Sequence, residues 1–134
     1  MMDNIRNVLF VCVHNTGRSQ MAEAFFNIGA SQNYKARSAG TSPAGGVNEM
    51  VIAAMKELDI DLTDNRSKLL TDTMLDEAEK VITMGCNVEE VCPANMTITE
   101  DWGLEDPKDQ SIEKVRMIRD EVKIRVDKLI KDLE

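Results

Sequence analysis

Residues 8–25 read VLFVCVHNTGRSQMAEAF. Val8, Leu9, Phe10 and Val11 form an apolar run that ends at Cys12. Five residues then lead to Arg18 and Ser19, and residues 20–28 carry a helical pattern. The order is therefore strand, tight loop, helix. Backbone N–H groups of such a loop converge on one point and form an anion-binding nest. The helix N-terminus adds N–H donors and partial positive charge. Arg18 brings a planar, permanently charged fork that matches tetrahedral oxyanions. Cys12 falls at the centre of this field, where a thiolate is favoured and nucleophilic. A lone cysteine at a strand end is more often a buried packing residue. Here the arginine six residues on, the hydroxyl of Ser19 and the strand-to-helix switch all agree, and they favour chemistry.

The pattern around this stretch alternates strands with helices. Residues 7–13 are apolar almost without alternation, as in a strand buried on both faces. Residues 34–39 predict a second strand, and residues 40–46 a loop rich in Gly, Ser and Pro. Asn48 is placed to cap a helix over 49–58, with Val51, Ala54, Met55 and Leu58 turned to the core. Residues 59–68 read as a polar connection whose Arg66 is expected in solvent, and residues 72–79 as a short helix. Residues 80–84 (KVITM) and 96–100 predict the third and fourth strands. The last helix begins near Ser111, with an apolar stripe of Val115, Ile118, Val122, Val126, Leu129 and Leu133 and a solvated charged face. Phe25 and Phe26 are expected in the core. The whole describes an α/β domain over residues 1–134, with a parallel sheet and helices on both faces in three layers. The residue 12–18 loop then lies at the carboxyl ends of the strands, where open α/β sheets bind ligands.

Composition sets the remaining bounds. The 134 residues suffice for one domain with a proper core, and 43% hydrophobic with 30% charged residues fits a soluble globular chain. A net charge of −8 argues against nucleic acid as a partner. Neither a secretory signal nor a membrane-spanning run is visible, so a cytoplasmic location is expected. Three cysteines without an export signal do not make a disulfide scaffold. Cys12, His14, Cys86 and Cys92 lack the usual zinc-knuckle spacing, so no metal is expected there. Nor is a bound cofactor.

Cys12-Val13-His14-Asn15-Thr16-Gly17-Arg18-Ser19 resembles the C-x5-R-S loop of the low-molecular-weight protein tyrosine phosphatase superfamily. Gln20-Met21-Ala22-Glu23 looks like its thioredoxin-coupled arsenate reductase branch, and the resemblance extends through most of the chain. It implies a four-stranded sheet in the order 2-1-3-4. It implies that Val13, His14, Asn15, Thr16, Gly17 and Arg18 bind arsenate or phosphate. It makes Cys12 the nucleophile, with Ser19 supporting its thiolate. Asp106-Pro107 matches the family's general acid, needed because displacing oxygen from an oxyanion requires a proton on the leaving group. By itself that dipeptide would be a turn before a helix.

Cys86 and Cys92 separate the branches. Hydrolysis needs one cysteine and water, whereas reduction needs two electrons, which a dithiol supplies. Cys92-Pro93 matches the branch's later relay cysteine; Cys86 stands one residue beyond the usual place of the earlier one. Either order of attack fits that spacing, as does completion by a small thiol. The implied partner is an external reductant, thioredoxin or a small thiol, acting on a monomer. If residues 86–92 were helical, six steps of rise would set the two Cα atoms about 9 Å apart. A disulfide tolerates roughly 4.4–6.8 Å, so that segment is expected to be a loop or to unwind on oxidation. Three departures are visible. Gly17 stands where some relatives carry a second loop cysteine. Lys108-Asp109 replaces the paired tyrosines of the phosphatases. Some relatives hold potassium through residues corresponding to Asn15 and Glu23, but their other ligands fall near Arg66 and Lys68 here, and the ion is not carried over. The readings left standing are an arsenate reductase, a phosphate monoester hydrolase, and a non-enzymatic oxyanion or redox sensor, in that order.

Overall fold

The structure is a computed structural model that describes residues 5–84 and 100–134. Strand β1 (Arg6–Cys12) runs through the centre of the sheet. Helix α1 (Arg18–Gly29) follows, then β2 (Tyr34–Gly40), α2 (Glu49–Lys56), α3 (Asp72–Glu77), β3 (Ala78–Thr83), β4 (Glu100–Asp101) and α4 (Ile112–Leu133). The four strands are parallel in the order β2-β1-β3-β4, as the family resemblance implied.

The alternation of side chains along β1 explains the layers. Val8, Phe10 and Cys12 point to one face, where Met21, Phe25 and Phe26 of α1, Val51, Ala54 and Met55 of α2 and the α4 stripe cover them. Leu9 and Val11 point to the other face with Ala39 and Val81, and Met74 and Leu75 of α3 pack there. Both faces of β1 are dry, which is why its sequence hardly alternates. Phe10 is the hub of the larger core: its ring lies 6.1 Å from Phe26 and 5.6 Å from Trp102 between centroids. Helix starts follow sequence signals. Asn48 accepts from Met50 and Val51, Thr71 from Met74 and Ser111 from Lys114, so each caps free N–H groups. At the outer edge of β2, Asn27 of α1 bonds both backbone groups of Ala36.

Four expectations need adjustment. The helical spacing turns Leu58 to the core, but Leu58 is 40% exposed. Helix α2 ends at Lys56, and Asp59 turns the chain with φ 62°. Ile60 and Leu62 then reach the core instead of Leu58. Helix α3 ends at Glu77 because the strand takes over at Ala78, two residues earlier than the apolar run of residues 80–84 suggested. Helix α1 begins at Arg18 rather than Gln20, which puts the arginine in the first turn. Of the expected fourth strand only Glu100 is described, and the strand continues to Asp101; residues 96–99 lie outside the described residues, as do Cys86 and Cys92.

Candidate active site

The loop between β1 and α1 stands at the carboxyl end of the sheet, as expected for a ligand site in an open parallel sheet. Its carbonyls are tied outward. Those of Cys12 and Val13 accept from Thr41 and Ser42 N–H at 3.3 and 2.8 Å, and that of Thr16 from Asn48 N–H at 2.8 Å. The N–H groups of His14, Thr16 and Gly17 make no backbone hydrogen bond among the described residues. They remain as donors for an anion. Gly40 makes this packing possible: a Cβ there would lie 2.5 Å from the Val13 carbonyl oxygen and 3.0 Å from Asn15. Only a glycine lets the β2 backbone run this close beneath the loop.

Cys12 is 2% exposed, and its sulfur has two polar neighbours. Asn15 N–H donates to Sγ at 3.1 Å, and Ser19 Oγ lies 2.9 Å away. Asn15 Nδ2 donates to Ser19 Oγ at 2.7 Å, so the serine hydroxyl hydrogen is free to point at sulfur. Two donors therefore converge on one buried sulfur. Asn15 reaches this geometry with φ 55°, the left-handed region that asparagine tolerates better than most residues.

Asn15 is itself locked from behind. Its Oδ1 accepts from Lys68 N–H at 2.9 Å and from Gln20 Nε2 at 3.2 Å. Gln20 is fully buried, also donates to the Arg66 carbonyl at 3.0 Å, and accepts from Asn65 Nδ2 at 3.3 Å. Gln20, Asn65 and Gly40 were not singled out individually from the sequence. Glycine at a strand end was the signal that could have marked Gly40; Asn65, which lies 45 residues from Gln20, carries no local sign of its role.

Arg18 is 7% exposed and oriented by two carbonyls: Nη1 donates to Met84 at 2.7 Å and to Leu104 at 2.8 Å. This leaves Nε and Nη2 as the fork for a ligand. Asp106 lies at the rim. Its Oδ2 is 3.8 Å from Arg18 Nη2, and its Oδ1 accepts from Lys108 N–H at 3.0 Å. His14 donates from Nδ1 to the Ser42 carbonyl at 3.0 Å, which fixes that tautomer. The structure thus brings Cys12, the loop residues Val13 to Gly17, Arg18, Ser19 and Asp106 together. Arg66 holds its side chain in solvent and contributes only its carbonyl to the loop support.

The sequence model of the low molecular weight phosphotyrosine protein phosphatase family matches residues 7–134. This chain belongs to that family. It is 37% identical over 129 residues to "Arsenate reductase 1" of Bacillus cereus (strain ATCC 10987 / NRS 248), covering 95% of this chain and 96% of that one. Among solved structures, an arsenate reductase in the phosphate-binding state superposes with a TM-score of 0.85 at 36% identity, covering 97% of this chain and all of the other. A thioredoxin-dependent arsenate reductase from Corynebacterium glutamicum gives 0.79 at 34% identity, over 98% of this chain and 63% of that one.

The potassium ion found in some family members does not fit these residues. Lys68 Nζ lies 3.7 Å from Glu23 Oε1, and Ser38 Oγ donates to the same oxygen at 2.7 Å. Asn15 Oδ1 is already taken by Lys68 N–H and Gln20. A carboxylate that faces an ammonium offers little to a second cation, and the chemistry derived below uses no metal.

Proposed function

We propose that this protein is a cytoplasmic arsenate reductase that passes two electrons from a thioredoxin-like dithiol to arsenate. What carries this reading is the buried Cys12 with Asn15 and Ser19 donors on its sulfur, in a chain that also holds Cys86 and Cys92. The free loop N–H groups and the Arg18 fork bind the oxyanion. Cys12 thiolate attacks arsenic, and an S–As bond forms as an oxygen leaves. Asp106 donates the proton that lets this oxygen depart as water.

A second thiolate, from Cys86 or Cys92, then attacks Cys12 Sγ. The S–As bond breaks with its electron pair going to arsenic, so As(V) becomes As(III) and arsenite departs. The remaining thiol attacks the mixed disulfide and frees Cys12, and Cys86–Cys92 finishes as the oxidised pair. Thioredoxin or a small thiol reduces that disulfide by exchange and is oxidised in turn. The arsenate reductases among the relatives and the thioredoxin-dependent enzyme of Corynebacterium glutamicum support this assignment. Among the described residues no helix is long and apolar enough to cross a membrane.

The family description favours one alternative, hydrolysis of a phosphate monoester. It would use Cys12, Arg18 and Asp106 in the same places and leave the dithiol idle. Lys108 and Asp109, both exposed, follow Asp106-Pro107 and offer no aromatic wall for a phosphotyrosine ring. Arsenite formation from arsenate, followed with thioredoxin, its reductase and NADPH, tests the assignment. Absence of arsenite alongside rapid hydrolysis of p-nitrophenyl phosphate would transfer the protein to the phosphatases.

A further inference from the structure

The turn that carries Asp106 is almost entirely in solvent. Glu105, Asp106, Lys108 and Asp109 are exposed, and Pro107 alone among residues 105–109 is buried. It is buried against the oxyanion loop. A Cβ on Gly17 would lie 2.8 Å from Pro107 Cγ, 3.6 Å from Pro107 Cδ and 3.6 Å from Val51 Cγ2. In this chain the proline ring occupies the space that a Cβ at position 17 would need. The φ of Gly17 is −144°, so the left-handed region does not demand this glycine.

The turn is therefore pinned on both sides of Asp106. Before it, the Leu104 carbonyl accepts from Arg18 Nη1 at 2.8 Å. After it, Pro107 rests on Gly17. Between these anchors the carboxylate is held 3.8 Å from Arg18 Nη2. We propose that Gly17 is a positioning residue for the acid: its missing side chain lets Pro107 seat on the oxyanion loop and thereby sets the reach of Asp106 to the leaving oxygen. The inference rests on the acid role given to Asp106 above. A side chain at position 17 pushes Pro107 outward by a good fraction of an ångström, since carbon atoms do not pack at 2.8 Å. Misplacement by about 1 Å can cost roughly 10²-fold in rate. The Gly17 N–H is itself one of the loop donors, so a loss of rate that exceeds the loss of anion affinity marks the effect on the acid.

The test compares Gly17→Ala, Pro107→Ala and the double variant. Two quantities are read: the single-turnover rate of arsenate adduct formation on Cys12, and the dissociation constant of phosphate by calorimetry. Gly17→Ala should slow the adduct step about tenfold or more, a larger factor than any loss of phosphate affinity, as expected when chemistry is lost beyond ground-state binding. Pro107→Ala removes Cγ and Cδ, loosens the turn and should slow the step by about threefold. Adding Pro107→Ala to Gly17→Ala should restore the rate to that of Pro107→Ala alone, because the clash is gone. A loss caused by the backbone at residue 17 would not be relieved at residue 107, so a double variant as slow as Gly17→Ala overturns the proposal. If Gly17→Ala fails to fold, the single Pro107→Ala decides: an unchanged adduct rate overturns it. Asp106→Asn, measured alongside, separates the two levels. A full rate there removes the acid assignment itself and this inference with it, whereas a slow Asp106→Asn beside an unimproved double variant removes only the role of Gly17.

Discussion

At the scale of residues, the site depends on a few polar atoms that cannot be exchanged for near equivalents. Arg18 spends Nη1 on the Met84 and Leu104 carbonyls and keeps the rest of its fork for ligand. Lysine at this position would keep the charge and lose both the orientation and the bidentate contact. Arg18→Lys should weaken phosphate binding by about tenfold or more, given roughly 1.5–3 kcal/mol for a charge-assisted hydrogen bond; an unchanged calorimetric isotherm would show that the guanidinium does not clamp the anion. Asn15 is the other such residue. Removing its amide in Asn15→Ala strips Ser19 Oγ of a donor, and Gln20 and Lys68 N–H of an acceptor. It also leaves alanine at φ 55°. At about 1–3 kcal/mol for each buried group left unpaired, chemical denaturation should report a loss of several kcal/mol. A change below about 1 kcal/mol would mean that water replaces the amide freely.

At the scale of elements, the site depends on how β1 and α1 are held. Phe26 is fully buried against Phe10, which also meets Trp102 just beyond β4. Phe26→Ala should cost about 3–5 kcal/mol in urea unfolding, and a loss under about 1 kcal/mol would show that the helix does not depend on this contact. The same elements show what a sequence can and cannot tell. The dry β1, the cap at Asn48, the start of the last helix near Ser111 and the stripe on α4 were legible because each signal is local or periodic. The strand order came from the family resemblance, since hydropathy does not record which strands pair. Leu58 was misassigned because periodicity does not see where a helix stops, and the turn at Asp59 ends it early. Cys12, Arg18 and Ser19 stood out because they fall within eight residues of each other. Gln20 and Asn65, 45 residues apart, meet only through the fold. So do Gly17 and Pro107.

At the scale of the whole molecule, the long C-terminal helix is tied to the rest by charge as well as by its apolar stripe. Glu57, just past α2, accepts from Arg116 at 2.7 and 3.0 Å and from Arg119 at 2.8 Å. The hydrogen bonds from Arg116, and then those from Arg119, hold its carboxyl well down, at about 2 against an ordinary 4.5. A group depressed in the folded state stabilises fully above its unfolded value and loses that contribution as pH falls toward the folded one. The melting temperature should therefore drop as pH falls from about 4.5 to about 2, and Glu57→Gln should flatten part of that slope. An identical pH profile in the variant would show that the α2–α4 ion pairs contribute nothing to acid sensitivity. The net charge of −8 sets the context for the anion site: attraction of an oxyanion must come from the loop and Arg18, since the molecule as a whole repels it.

Whether a thiol relay carries electrons to arsenate on Cys12 is decided by counting arsenite in the Cys92→Ser variant. With thioredoxin, its reductase and NADPH, the intact protein should form arsenite over many cycles. Cys92→Ser should take up arsenate on Cys12 and then release no more than one arsenite per protein chain, while Cys12→Ser forms no adduct at all. Sustained arsenite production by Cys92→Ser at the rate of the intact protein would contradict the relay.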